Sequence, residues 1–224
     1  MSKYLRLSHI LNAETPVSDT IVEPIQITPI LRIANGNNSN LSRLSITNHY
    51  GTHVDSPNHF NPVGKKLVDF PIESFIFTSP LLLDIPMGDD GLLSAGDLIP
   101  HADRISRCDL LLLRSGFSQY RSQDPQRYRF KTPGVSAEAA QYLMQFPGFR
   151  AIGVDFISLE WTVNTSHGFR AHQVLLGDND HPVMIIEDML LDGDLANLYR
   201  VYMVPLLFAD LDSFQCTVIA ELND

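Results

Sequence analysis

Within eleven consecutive positions the chain places three of its eight histidines and an aspartate, in the order His49-Tyr50-Gly51-Thr52-His53-Val54-Asp55-Ser56-Pro57-Asn58-His59. Imidazole nitrogen and carboxylate oxygen are the usual ligands of zinc, and of manganese or iron in the divalent state. His49, His53, Asp55 and His59 share one parity, so a strand would turn all four to one face. A straight strand would still hold His49 and His53 about 13 Å apart at ~3.3 Å per residue, too far to share an ion. The backbone must therefore bend, and Gly51 is where it can do so without a steric penalty. Pro57 supplies a second turn that can bring His59 back over the site. Thr52 is placed to orient a ligand through its hydroxyl, the kind of support that metal-bound histidines need. Any fold for this chain has to deliver this bent segment to one point.

The surrounding pattern alternates strands and helices. Leu81–Ile85 and Asp109–Arg114 are short, nearly continuous apolar runs, which suit strands buried on both faces. Ala151–Phe156 reads the same way, and Arg200–Val204 and Phe214–Ile219 carry the β-branched and aromatic residues of further strands. Ser94 with Asp97 forms a capping-box pattern for a short helix. Ser136 is a cap for a helix over Ala137–Phe146, with Glu138 in its first turn and Pro147-Gly148 as its stop. The polar stretch from Asn35 to Ser42 reads as a loop or hairpin tip, and Ser118–Pro133 as a long surface insertion or lid. There is no internal repeat. The chain of 224 residues suits one α/β domain, residues 1–224, with a mixed sheet.

Charge and cysteine content narrow the function. A formal net charge of -10 argues against a nucleic-acid surface, which needs clustered Lys and Arg. Cys108 and Cys216 are the two cysteines, far apart and outside any C-x-x-C pair, so they read as buried thiols of a reducing compartment. No apolar run follows Met1 in the manner of a signal peptide, and none is long enough to span a bilayer, so a soluble, cytoplasmic protein with no membrane partner is expected. There is no G-x-S-x-G elbow, no G-x-G-x-x-G and no P-loop, which leaves serine-hydrolase and nucleotide chemistry unsupported.

The run from His49 to Phe60 resembles the signature H-x-G-T-H-x-D-x-P-x-H of the cyclase family, which includes bacterial kynurenine formamidases and isatin hydrolases, with every fixed position present. Leu7-Ser8-His9 with Thr15-Pro16, Leu112–Gly116, Gly153-Val154-Asp155 and Ala171–Leu176 are similar to further family segments. The likeness covers most of the chain. It implies a swivelling β/β/α-type single domain with a mixed, barrel-like sheet core and peripheral helices. It further implies that His49, His53 and Asp55 bind metal, with Asp55 bridging where two ions are present, and that His59 donates and accepts protons. His172 and Glu187 match the positions that complete a second metal site. The segment between them, with its loop from Gly177 to Pro182, is longer than the family pattern, and Gln173 is an alternative oxygen ligand. Family members assemble as dimers or tetramers through N-terminal arms, so a homodimer or homotetramer is expected, and the polar N-terminal third is compatible with such an arm.

Together these readings give a metal-dependent hydrolase of a carbon–nitrogen bond other than a peptide bond, with zinc or manganese as one or two ions per chain. A divalent ion brings the pKa of bound water toward neutrality, in favourable zinc sites to about 7. A histidine with a pKa near ~6.5 can then carry the proton to the leaving nitrogen. His59 is the expected shuttle, with a third ligand or a structural histidine as its alternative roles. The resemblance favours a small-molecule amide, N-formylkynurenine, giving kynurenine and formate in tryptophan breakdown. Isatin or another cyclic amide, imide or lactone is the rival substrate, and a non-catalytic metal-binding relative the rival class. Phe60 and the lone Trp161 are candidate aromatic walls for an aryl substrate. His9, His101, His167 and His181 read as surface or hydrogen-bonded residues, Asp84 and Asp155 as caps of turns. Arg114 reads as the partner of an acidic neighbour, or more boldly as the holder of a substrate carboxylate.

Overall fold

The runs that are apolar on both sides become the middle of a mixed sheet. The computed structural model describes residues 3–17, 22–164 and 168–223. In chain order its strands are β1 (Lys3–Arg6), β2 (Gln26–Leu31), β3 (Leu41–Ser45), β4 (His53–Asp55), β5 (Ile76–Phe77), β6 (Pro80–Asp84), β7 (Leu92–Leu93), β8 (Leu110–Arg114), β9 (Gly134–Val135), β10 (Ala151–Val154), β11 (Met184–Glu187), β12 (Leu198–Pro205) and β13 (Ser213–Leu222). The helices are α1 (Ala95–Leu98), α2 (Ala102–Ile105), α3 (Tyr120–Gln123), α4 (Pro125–Phe130), α5 (Ala137–Leu143) and α6 (Arg170–Leu176).

The main sheet runs β5-β12-β13-β4-β11-β10-β8-β6, with β1 added to β13 beyond β4. Strands β6, β8, β10 and β11 are parallel, and β4 lies antiparallel between β11 and β13. Strand β6, at one end of that order, comes back against β12 near the other, so the sheet nearly closes into a barrel. The alternation of side chains across each strand then explains two cores. Leu111, Leu113, Ile152, Val154 and Ile185 face outward and pack with Ala139, Ala140 and Leu143 of α5 and Leu175 of α6. Leu110, Leu112, Ala151, Met184 and Ile186 face the other way and meet Val201, Met203, Val218 and Ala220. Both faces of β8 and β10 are buried, which is why those sequences carry no polar alternation.

Helix α5 ends at Leu143, three residues short of the expected Phe146, because the chain tightens into i to i+3 bonds at Gln145 and Phe146 before Pro147. Its cap is Ser136, whose hydroxyl accepts from Ala139 N at 3.0 Å. The stretch from Asn35 to Asn40 is the tip of the β2–β3 hairpin, while Leu41 and Ser42, expected within it, already belong to β3. Ser118–Pro133 is not a loose lid. It holds α3 and α4, and Tyr128 is fully buried in it. Cys108 and Cys216 are buried free thiols. Among the described residues no helix is long and apolar enough to cross a membrane.

Candidate metal centre

Strand β4 is three residues long, and its register builds the site. His53 pairs across from Glu187 of β11 and Gln215 of β13, while Asp55 pairs with Ile185 and Ser213. Directly opposed residues in antiparallel strands share a face, so His53, Asp55 and Glu187 project together while Val54 and Ile186 enter the core between them. The bend sits at Gly51, with φ 65°. This left-handed turn, natural for glycine, aims the Gly51 carbonyl at the ring of its neighbour, and His53 Nδ1 donates to it at 2.7 Å. The tautomer is thereby fixed with Nε2 facing Asp55 at 3.5 Å and Glu187 Oε2 at 3.4 Å. The support expected from the Thr52 hydroxyl thus comes from the Gly51 carbonyl instead. Thr52 Oγ1 donates to the Asp188 carbonyl and accepts from His9 N.

Pro57 opens a short 3-10 turn, Pro57–His59, that returns His59 to the site. The rings of His49 and His59 lie 4.2 Å apart, and those of His49 and His53 5.1 Å. His49 Nδ1 approaches Asp55 Oδ1 at 3.1 Å. The buried face of α6 brings His172, whose Nε2 lies 3.0 Å from Glu187 Oε1. That oxygen also accepts from Leu159 N at 2.7 Å and Ser158 Oγ at 3.0 Å, which fixes the carboxylate. Glu187 is therefore in place despite the longer segment before it. Gln173, the alternative oxygen ligand, is exposed on α6 and lies away from the pocket. The helix turns about 100° per residue, so a buried His172 sends its neighbour outward.

Asp212 is the residue that sequence reasoning missed. It ends the loop before β13, held there as its carbonyl accepts from Ser56 N and Ser56 Oγ. Its Oδ2 lies 2.7 Å from His59 Nδ1 and 3.2 Å from His49 Nε2, and its Oδ1 accepts from Asn48 Nδ2 at 2.8 Å. No local motif surrounds it, and its partners lie more than 150 positions earlier in the chain.

The electrostatics are those of a site made for positive charge. Burial pulls His49 down, but Asp55 and Asp212 outweigh it and raise its pKa to about 10. Burial would raise Asp55, yet His49 and His53 hold it down at about 2. Asp212, also lifted by burial, is kept well below the carboxylate range by His49 and His59. Even so, both oxygens of Asp55 and Nε2 of His53 are buried without a hydrogen-bond partner, as is Nδ1 of His172. Among the described residues two three-residue sets have ligand atoms close enough to hold an ion, His49-Asp55-His59 and His53-Asp55-Glu187, and Asp55 belongs to both. Unsatisfied acceptors at the meeting point of imidazoles and carboxylates fit a divalent cation.

His49, His53, His59, His172 and Glu187 line a cavity of about 190 Å³ together with Val22, Phe60, Ser158, Glu160 and Phe169. Phe60 packs on the rings of His59, His172 and Phe169 at 4.7, 5.1 and 5.8 Å. Trp161 is not in this wall. Its indole N–H donates to the Asp90 carbonyl at 2.9 Å, and it lines a separate cavity with Asn164 and Arg170. The wall facing Phe60 is Phe169. Arg114 forms a two-pronged ion pair with Asp84, and Asp155 accepts from Ser115 and Gly116, both outside the cavity. His181 Nε2 donates to the Phe149 carbonyl at 2.6 Å, while His9 and His101 lie outside the cavity and His167 lies outside the described residues.

Known proteins resemble the chain in sequence and in fold. The family described as putative cyclase matches residues 5–161. A kynurenine formamidase of Erythrobacter litoralis is 28% identical over 194 residues, 86% of this chain and 82% of that protein. An uncharacterized protein of Haemophilus influenzae is 31% identical over 112 residues, covering 50% of this chain and 79% of that one. Isatin hydrolase A from Labrenzia aggregata, solved with benzyl benzoate, superimposes with a TM-score of 0.83 at 20% identity, over 100% of this chain and 94% of that chain.

Proposed function

The chain belongs to the cyclase family, and from that premise we propose that it is a metal-dependent hydrolase of a non-peptide carbon–nitrogen bond, arylformamidase-like, with N-formylkynurenine as substrate. The observation that carries the reading is Asp55, buried between His49, His53 and Glu187 with neither oxygen hydrogen-bonded. The likeness to kynurenine formamidases supports the substrate. So does a cavity walled by Phe60 and Phe169, whose flat apolar faces suit an aryl ring.

His49, His53, Asp55 and Glu187 would hold a divalent cation, zinc or manganese, with His172 completing a second position. Such an ion when bound acidifies water and polarises a carbonyl oxygen. The protein's own groups do the rest. Asp212 accepts from His59 Nδ1, which leaves the lone pair on Nε2. His59 Nε2 takes the proton of the attacking water and returns it to the leaving nitrogen as the carbon–nitrogen bond breaks. Ser158 and the Leu159 amide keep the Glu187 carboxylate from turning. Phe60 and Phe169 exclude water from the face of the substrate.

The test is hydrolysis of N-formylkynurenine by protein loaded separately with zinc and with manganese. Turnover abolished by a chelator and restored by one of the ions is the expected result. No turnover in protein shown to carry metal would reject this substrate and direct the search to cyclic amides such as isatin. Self-association belongs to the same reading. The β2–β3 hairpin exposes Ile27, Ile30, Leu41 and Leu44, an apolar surface suited to a second copy. Sedimentation as a monomer alone at micromolar concentration would remove it.

A further inference from the structure

Glu187 is followed by Asp188, which adopts φ 51°, the left-handed region that a residue with a β-carbon rarely enters. Its side chain is buried and fully engaged. Arg121 of α3 donates Nε to Oδ1 and Nη2 to Oδ2, both at 2.8 Å, and Tyr128 of α4 donates its hydroxyl to Oδ1 at 2.7 Å. The backbone is engaged as well. Asp188 N donates to the Phe156 carbonyl at 3.0 Å, and the Asp188 carbonyl accepts from Thr52 Oγ1. Thr52 stands between Gly51, whose carbonyl fixes the His53 ring, and His53 itself. One residue therefore links the strand of Glu187, the strand of His53 and the α3–α4 segment.

Neither Arg121 nor Tyr128 lines the cavity. A buried ion pair is weak evidence of stability, because desolvating the two charges offsets their attraction, and its best-attested use is to fix a geometry. Here the geometry it fixes is an unfavourable backbone turn directly after Glu187. Such turns persist only where the surroundings over-determine them.

We propose that Arg121 and Tyr128 are positioning residues for the metal centre: by clamping Asp188 in the left-handed turn they aim Glu187, and through Thr52 the His53 ring, at the cation. The inference rests on the reading of the site as a metal centre, and it reassigns the α3–α4 segment from a lid to a strut. Support of this kind is worth about 10–100-fold in metal affinity at other metal sites.

The experiment measures the dissociation constants of zinc and manganese, by competition with a chelator, for full-length wild type and three variants. All are kept below the melting temperature of their metal-free forms, with circular dichroism confirming the fold. Arg121→Met is expected to bind about 10–100-fold more weakly, and Tyr128→Phe to weaken binding by a smaller factor. Excess metal should restore turnover in both without changing KM. Arg127→Met, which loses an exposed pair with Asp89 on the same segment, should bind as wild type does. A folded Arg121→Met protein with wild-type affinity would overturn the clamp. If Arg121→Met does not fold, Tyr128→Phe decides, since it deletes a single oxygen, and unchanged affinity in it overturns the clamp equally. Failure of the wild type itself to bind either metal would instead reject the metal-centre reading.

Discussion

On the inner side of Asp55 stand His53 and Glu187, each with a side chain 5% exposed, while on the outer side His49 and His59 are 24% and 28% exposed and share Asp212. The two halves use the same residue types and differ in access to water. In the inner half the carboxylates are nearly closed off from water, so their charge has to be met by hydrogen bonds, by imidazolium or by a cation, and burial makes any mismatch costly. In the outer half His59 stands at the cavity wall, and Asp212 on its Nδ1 fixes Nε2 as the nitrogen left for proton transfer. The inner half is thus suited to hold charge and the outer half to move it.

Breaking the inner half should have the largest effect. Asp55→Asn removes the carboxylate common to both ligand sets, and the expected result is loss of bound metal with turnover reduced by about 10²–10³-fold or more, the scale of losing a principal electrostatic stabiliser. Metal content by elemental analysis checks it, and a metal-replete Asp55→Asn protein would undo the division into halves.

The outer half predicts a separation. His59→Ala should retain metal and lose about 10²–10⁴-fold in turnover. Asp212→Asn should lose less, about 10–100-fold, because it misorients the imidazole without deleting it. Loss of metal in His59→Ala would move that residue into the ligand set, and undiminished turnover would remove it from the chemistry.

The smallest effect is on stability in the metal-free protein, and it sharpens the comparison by pH. The pKa of His49 is raised to about 10 from the ordinary 6.5 by Asp55 and Asp212 against its burial. A raised folded-state pKa means that the proton stabilises the fold: the contribution is complete below pH 6.5 and is lost as pH climbs to about 10. Melting curves of chelated wild type should therefore fall between those limits more steeply than those of His49→Gln, which carries no such proton. Parallel curves for the two proteins would show that His49 is not held as an imidazolium.

Part of the site could be read directly. The positions of Gly51 and Pro57 required two bends, and the backbone bends at both. The apolar runs at β8 and β10 are strands buried on both faces, as continuous hydrophobicity implies, whereas β6, at the end of the sheet, buries Leu81 and Leu83 but leaves Leu82 half-buried and Asp84 exposed. Strand β4 was not legible, since three residues, His53, Val54 and Asp55, carry too little alternation to be recognised. The β2–β3 hairpin was visible only as its tip, because strands exposed on both faces carry no hydrophobic period to detect. Trp161 shows the converse error. Its aromatic character suggested a substrate wall, but its backbone and Cβ press on Gly134, where a β-carbon would stand 2.6 Å from Trp161 Cβ, and its indole N–H is held by the Asp90 carbonyl.

The sequence alone determined which groups of the His49–His59 segment converge, because neighbours in the chain are constrained by covalent geometry and by the few turns that Gly and Pro permit. Only the tertiary structure decided that Glu187 rather than Gln173 faces them, that Asp212 holds His59, and that Asp188 ties β11 to α3 and α4. Those choices follow from strand register and from which side of α6 is buried. In a sheet a shift of one residue reverses every side chain, so nothing local to Glu187 or Asp212 records the face on which it will stand.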